Sequence, residues 1–77
     1  MMTQTLMNNY LDQRVVAILG YNEDGQDQAR RLRSRGIDVV IGLREGDPFW
    51  SAAEKDGFPV SNLLKAVDQA DVIQVWY

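Results

Sequence analysis

Neither cysteine nor histidine occurs among the 77 residues of this chain. Their absence removes disulfides, zinc sites of the Cys/His type, thiolate nucleophiles and the imidazole that most often serves as general base near neutral pH. Proline is scarce at two residues, and six glycines are too few for a disordered or low-complexity chain. No apolar run approaches the roughly 18 residues of a membrane span. The opening MMTQTLMNNYL has no basic stretch leading into a continuous apolar one, so no membrane span or leader is expected and the chain is placed in the cytoplasm. Eleven acidic residues against eight basic ones give a net charge of −3, which argues against nucleic acid or an anionic membrane as the main partner. The remaining carboxylates, serines and lysines form no pair or triad at a telling spacing. No catalytic residue and no metal ligand is assigned.

What is present suits one small domain. Apolar content of 45% with 25% charge is that of a globular chain, and at this size about 60 to 65% of the unfolded surface is buried on folding. Residues 1–13 are polar with isolated Leu and Met and read as an N-terminal arm, leaving 14–77 as the domain. Arg14-Val-Val-Ala-Ile-Leu-Gly20 is a short β-branched run ended by glycine, as expected of a strand buried on both faces. From Gly25 to Arg35 the pattern is helical, with Ala29 and Leu32 inward and Gly36 at the C′ position. Residues 37–42 repeat the strand pattern. Asp47-Pro48 then reads as an N-cap and first helical residue of a helix to Asp56, closed by Gly57. Residues 58–60 allow a short strand, Ser61 is expected to cap a helix to Gln69 with Leu63, Leu64 and Val67 as its buried stripe, and residues 71–77 form a last strand.

The alternation β-α-β-α-β-α-β implies a three-layer α/β/α fold around a parallel sheet of about four strands in order 3-2-1-4, part of a doubly wound, Rossmann-like domain. Its ligand crevice is expected beyond the carboxyl ends of strands one and four. The apolar last strand lies at a sheet edge, so a homodimer or a partner chain covering it is expected.

The residues GYNEDGQDQARRLRSRGIDVVIGLREGDPFWSAAEKDGF, with ADVI near the end, resemble the N-terminal nucleotide-binding domain of ketol-acid reductoisomerase, also called acetohydroxy acid isomeroreductase. There the turn typically reads GYGSQGHAQA, followed by LRDSG, V-GLREGS-SW and AEE-GF. The resemblance implies an NADP(H)- or NAD(H)-binding domain of an enzyme that uses magnesium to isomerise and reduce acetolactate-type substrates in branched-chain amino acid synthesis. It also implies that the family's magnesium-binding carboxylates and conserved histidine lie outside these residues, so the chain alone is expected to be inactive.

Carried over by resemblance, the cofactor-binding positions are Gly20, Tyr21, Asn22, Glu23, Asp24, Gly25, Arg44 and Asp47. Gly20, Tyr21 and Gly25 keep the family turn, and Arg44 keeps the arginine that approaches a 2′-phosphate; read from the residues alone, Arg44 is a surface arginine pairing with Glu45 or Asp47. Asn22 replaces the middle glycine and Asp24 a glutamine, while Asp47 and Phe49 stand where serines are common. A carboxylate about 4 Å from one phosphate charge costs about 1 kcal/mol in water-like surroundings and about 4 at an effective dielectric of 20. Glu23, Asp24 or Asp27 can instead stabilise the first helical turn from within. Tight dinucleotide binding, a self-capped turn with weak or no binding, and a different ligand all stay open. Asp47 reads as an N-cap, or as a ribose ligand favouring a free 2′-hydroxyl. Arg30, Arg31, Arg33 and Arg35 read as a solvated helix face, Phe49 and Trp50 as core packing, and Trp76 and Tyr77 as core or interface. Besides the family role, a non-enzymatic scaffold that associates through its edge strand fits the same residues.

Overall fold

The computed structural model describes residues 14–77; the N-terminal arm expected at 1–13 lies outside the described residues. Seven elements follow the expected alternation: β1 (Val15–Leu19), α1 (Glu23–Ser34), β2 (Asp38–Gly42), α2 (Trp50–Lys55), β3 (Val60–Ser61), α3 (Leu63–Gln69) and β4 (Val72–Val75). The sheet is parallel throughout, in the order β3-β2-β1-β4.

Strand alternation divides the core in two. Val16 and Ile18 of β1 with Val39 and Ile41 of β2 face one side, where Ala29 and Leu32 of α1 and Ala53 of α2 cover them. Ala17, Leu19 and Val40 face the other side and meet Ala66 of α3. Three layers result, as the pattern of apolar runs requires.

Helix boundaries depart from expectation where a side chain, not the hydrophobic pattern, decides them. Helix α1 starts at Glu23 rather than Gly25 because Asn22 is its N-cap, its Oδ1 accepting the Gly25 N–H at 2.9 Å. Its C-terminus is as expected: Gly36 takes φ +80, with Gly36 N–H on Arg33 O and Ile37 N–H on Leu32 O. Helix α2 starts at Trp50, not Pro48. Asp47 makes its own turn first, its Oδ1 accepting the Phe49 N–H at 2.8 Å and its carbonyl the Trp50 N–H at 3.0 Å. Trp50 packs against the core from its edge, but Phe49 is left 41% exposed, against the expectation that both pack inward.

Helix α3 shows the largest correction. Asn62, not Ser61, is the cap, accepting the Lys65 N–H at 2.8 Å. Leu64 is 84% exposed and Val67 is also exposed. The face on the sheet is Leu63, Ala66 and Ala70, at i, i+3 and i+7. Space explains the choice of alanine: a Cβ on Gly42 would come within 2.8 Å of the Ala66 Cβ and 2.6 Å of Leu19 Cδ2. Gly42 and Ala66 together let α3 lie directly on β2. Strand β4 is shorter than residues 71–77; Trp76 tucks against the α1-side core, and Tyr77 is exposed.

A polar knot ties the first turn to the end of α2. Tyr21 is buried with its hydroxyl donating to the Asp56 carboxylate, and its ring meets Phe58 edge-on at 6.1 Å between centroids. Arg30 approaches Asp56 at 3.4 Å and Asp27 at 3.8 Å, while Arg33 lies 4.0 Å above the Phe58 ring and donates to the Asp56 carbonyl. Two of the four arginines read as a solvated face thus brace α1 against α2. Burial first, and the hydrogen bond to Asp56 second, push the Tyr21 hydroxyl from its ordinary value up to about 12. The bond from Tyr21, reinforced by Arg30, holds the Asp56 carboxyl below the usual range against the opposing effect of burial.

Two outcomes follow from this packing. Gly42→Ala should destabilise the domain by about 1 to 3 kcal/mol in urea unfolding, because the added methyl group has no room. For Tyr21 the folded-state pKa exceeds the unfolded one, so its contribution is fully present below about pH 10 and is lost as pH rises towards 12. Unfolding midpoints measured between pH 9 and 12 should fall more steeply for the natural protein than for Tyr21→Phe; equal slopes would contradict the assignment.

Candidate functional site

Strands β1 and β2 end side by side at Leu19 and Gly42, and the chain turns sharply after β1. Gly20 makes that turn at φ +100, where a side chain is strained, with its N–H on Gly42 O at 3.0 Å. There is no space for one either, since a Cβ would lie 3.2 Å from both the Trp76 carbonyl carbon and Tyr77 Cβ. Gly25 serves close packing in the first helical turn: a Cβ there would be 3.1 Å from Gly20 O and 3.3 Å from Trp76 Cβ. These are the duties of the first and third glycines in a dinucleotide turn.

Asn22 stands at the middle position with both ends of its amide engaged. Oδ1 holds the Gly25 N–H, and Nδ2 donates to the Trp76 carbonyl at the end of β4. Its backbone is extended, φ −70 and ψ 179, so no left-handed conformation is needed. The self-capping expected from Glu23, Asp24 or Asp27 is carried out by Asn22 instead. Glu23 and Asp24 are exposed in the first turn, and Asp27 faces Arg30. The amides of Glu23 and Asp24, the first two of the helix, have no intrahelical acceptor and still offer the positive end of the helix dipole.

A crevice of about 290 Å³ opens beyond the carboxyl ends of the strands, lined by Gly20, Leu43, Arg44, Asp47, Leu63 and Tyr77 among others. Of the eight residues expected at a cofactor, Gly20, Arg44 and Asp47 meet there. Asn22, Glu23, Asp24 and Gly25 form the adjoining helix start, and Tyr21 is buried beneath the turn, where it anchors rather than touches. Arg44 is exposed and, among the described residues, pairs with neither Glu45 nor Asp47. Asp47 is half-buried, with one carboxylate oxygen held by the Phe49 N–H.

A second hollow, of about 400 Å³, lies at the opposite end beside Val15, Ile37, Asp38 and Gly57. Ligands of open α/β sheets bind at the carboxyl ends, so the first crevice is the candidate site. Its apolar leucines, aspartate and arginine suit an adenosine moiety. The helix start next to it suits a diphosphate less well, because Asn22 has already taken one amide.

Sequence reasoning missed three contributors. Leu63 and Tyr77 line the crevice, which no motif marks; Asp56, the partner of Tyr21, lies 35 residues away in sequence. Asn22 as cap was recoverable, since asparagine is among the best N-caps, but alignment with a glycine turn disguised it.

Comparisons with known proteins agree with this geometry. Residues 10–77 match the family described as "Acetohydroxy acid isomeroreductase, NADPH-binding domain". "Ketol-acid reductoisomerase (NADP(+))" of Methanopyrus kandleri is 46% identical over 65 residues, covering 84% of this chain and 20% of that protein. The protein of the same name from Pyrococcus abyssi is 40% identical over 65 residues, with the same shares covered. Among solved structures, an "NADH-preferring ketol-acid reductoisomerase from an uncultured archean" superposes with a TM-score of 0.85 at 36% identity, covering 91% of this chain and 23% of that one. The chain thus spans about a fifth of the length of these relatives. By turn, sheet order and sequence, it belongs to the acetohydroxy acid isomeroreductase NADPH-binding domain family.

Proposed function

We propose that this chain is the dinucleotide-holding part of a ketol-acid reductoisomerase-type activity, that it binds cofactor weakly, and that it favours NADH over NADPH. The observation that carries the reading is the crevice at the carboxyl ends of the strands, where Gly20, Arg44 and Asp47 converge beside the start of α1. When bound, the nicotinamide cofactor supplies a hydride donor. The residues here bind and orient it. The isomerisation and reduction of an acetolactate-type substrate, and the magnesium it requires, are assigned to residues outside the fifth of the family represented here.

Weak binding follows from the turn. A diphosphate approaching α1 meets the Glu23 and Asp24 carboxylates and finds the Gly25 amide already bonded to Asn22. Each like-charge contact costs about 1 kcal/mol even in water-like surroundings. The preference for NADH follows from Asp47. Its carboxylate is held by the Phe49 amide, whereas Arg44 is exposed and has no ion pair among the described residues. A fixed acceptor suits a free 2′-hydroxyl and repels a 2′-phosphate.

The second reading, a scaffold that associates through β4, is favoured by one observation. On the α3 side of that edge strand, in register with Ala17 and Leu19, Ile73 is 45% and Val75 57% exposed. Edge strands of this kind pair readily with another chain.

Calorimetric titration separates the two. Saturable NADH binding below about 1 mM, at least 5-fold tighter than NADPH, is expected for the cofactor reading. No binding of either to that limit would contradict it and favour the scaffold. Asn22→Gly with Asp24→Gln should tighten NADH by about 10-fold, since a glycine cap costs only a few tenths of a kcal/mol while an amide is freed and a charge removed. Asp47→Ser should shift preference towards NADPH. For the scaffold reading, light scattering at about 100 µM should show a dimer that Val75→Lys dissociates; a monomer would contradict it.

A further inference from the structure

Tyr77 lines the crevice as an aromatic side chain beside leucines, glycines and two charged residues. Its side chain is 75% exposed, yet the backbone leading to it is pinned. Trp76 N–H donates to Leu19 O at 2.8 Å, Trp76 O accepts from Asn22 Nδ2, and Tyr77 Cβ lies against Gly20 where only a hydrogen fits. A ring with a fixed root and a free face therefore borders the same hollow as Leu43, Leu63, Arg44 and Asp47. At about 290 Å³ the hollow is at the small end of ligand sites.

Those walls sort by chemistry. Leu43 and Leu63 offer an apolar surface to a flat ring, Asp47 offers an acceptor to sugar hydroxyls, and Tyr77 offers a π-face. We propose that Tyr77 stacks on the adenine ring of the bound cofactor, making it a further binding residue of this site; the assignment rests on the dinucleotide reading above. The phenol hydroxyl plays no part, because stacking uses the ring face alone.

The test compares ADP-ribose with nicotinamide mononucleotide by calorimetry on the whole chain, titrating to about 5 mM. Tyr77→Ala should weaken ADP-ribose by about 5- to 150-fold, the range measured when a stacking aromatic is cut to alanine. It should leave nicotinamide mononucleotide unchanged, and Tyr77→Phe should bind ADP-ribose as the natural protein does. Unchanged ADP-ribose affinity in Tyr77→Ala, or a loss seen with nicotinamide mononucleotide instead, overturns the assignment while leaving the dinucleotide reading in place. Failure of the natural protein to bind ADP-ribose overturns both.

Discussion

One side-chain amide, that of Asn22, joins the start of α1 to the end of β4 across the turn that follows β1. Its oxygen starts α1 by holding the Gly25 N–H, and its nitrogen fastens that start to the Trp76 carbonyl at the end of β4. The turn after β1 is thereby closed by the chain's own side chain, which takes up the Gly25 amide of the helix start. Other features follow from that closure. Gly20 and Gly25 must stay small because Trp76 and Tyr77 are drawn over them, and the ring of Tyr77 is brought to the mouth of the crevice.

Beneath the turn, Tyr21 fixes its depth. Its hydroxyl reaches Asp56 at the far end of α2, and Arg30 and Arg33 converge on the same residue, so the first helix cannot shift without moving the second. On the opposite face no such polar tie is made among the described residues. There α3 lies close to the sheet because Gly42 and Ala66 leave no intervening side chain. One layer is held by a bonded cluster and the other by small residues, and the crevice sits between them at the ends of β1 and β2.

The fold was legible in the sequence because buried parallel strands announce themselves as short apolar runs between glycine-ended helices. The runs at 15–19 and 38–42 left little choice of topology. Helix faces were less legible where two readings of hydrophobicity compete. Leu64 and Val67 look like core residues by type, yet the sheet accepts only Ala66 above Gly42, a matter of space that a one-dimensional pattern does not encode. The site was half legible. Gly20, Arg44 and Asp47 were marked by resemblance and do converge, whereas Leu63, Tyr77 and Asp56 reach their places through tertiary packing. The carboxylates of the turn suggested self-capping, which does occur, but through the uncharged Asn22.

On the proposed reading, the crevice takes the adenosine and the capped turn grips the diphosphate weakly. A crystal structure of the protein soaked in NADH tests that division most directly. The account predicts Asn22 Oδ1 still on the Gly25 amide and Nδ2 still on the Trp76 carbonyl, with the adenosine in the crevice and the diphosphate displaced from the start of α1. Phosphate oxygens bonded to the Gly25 amide, with the Asn22 side chain turned away, would contradict it.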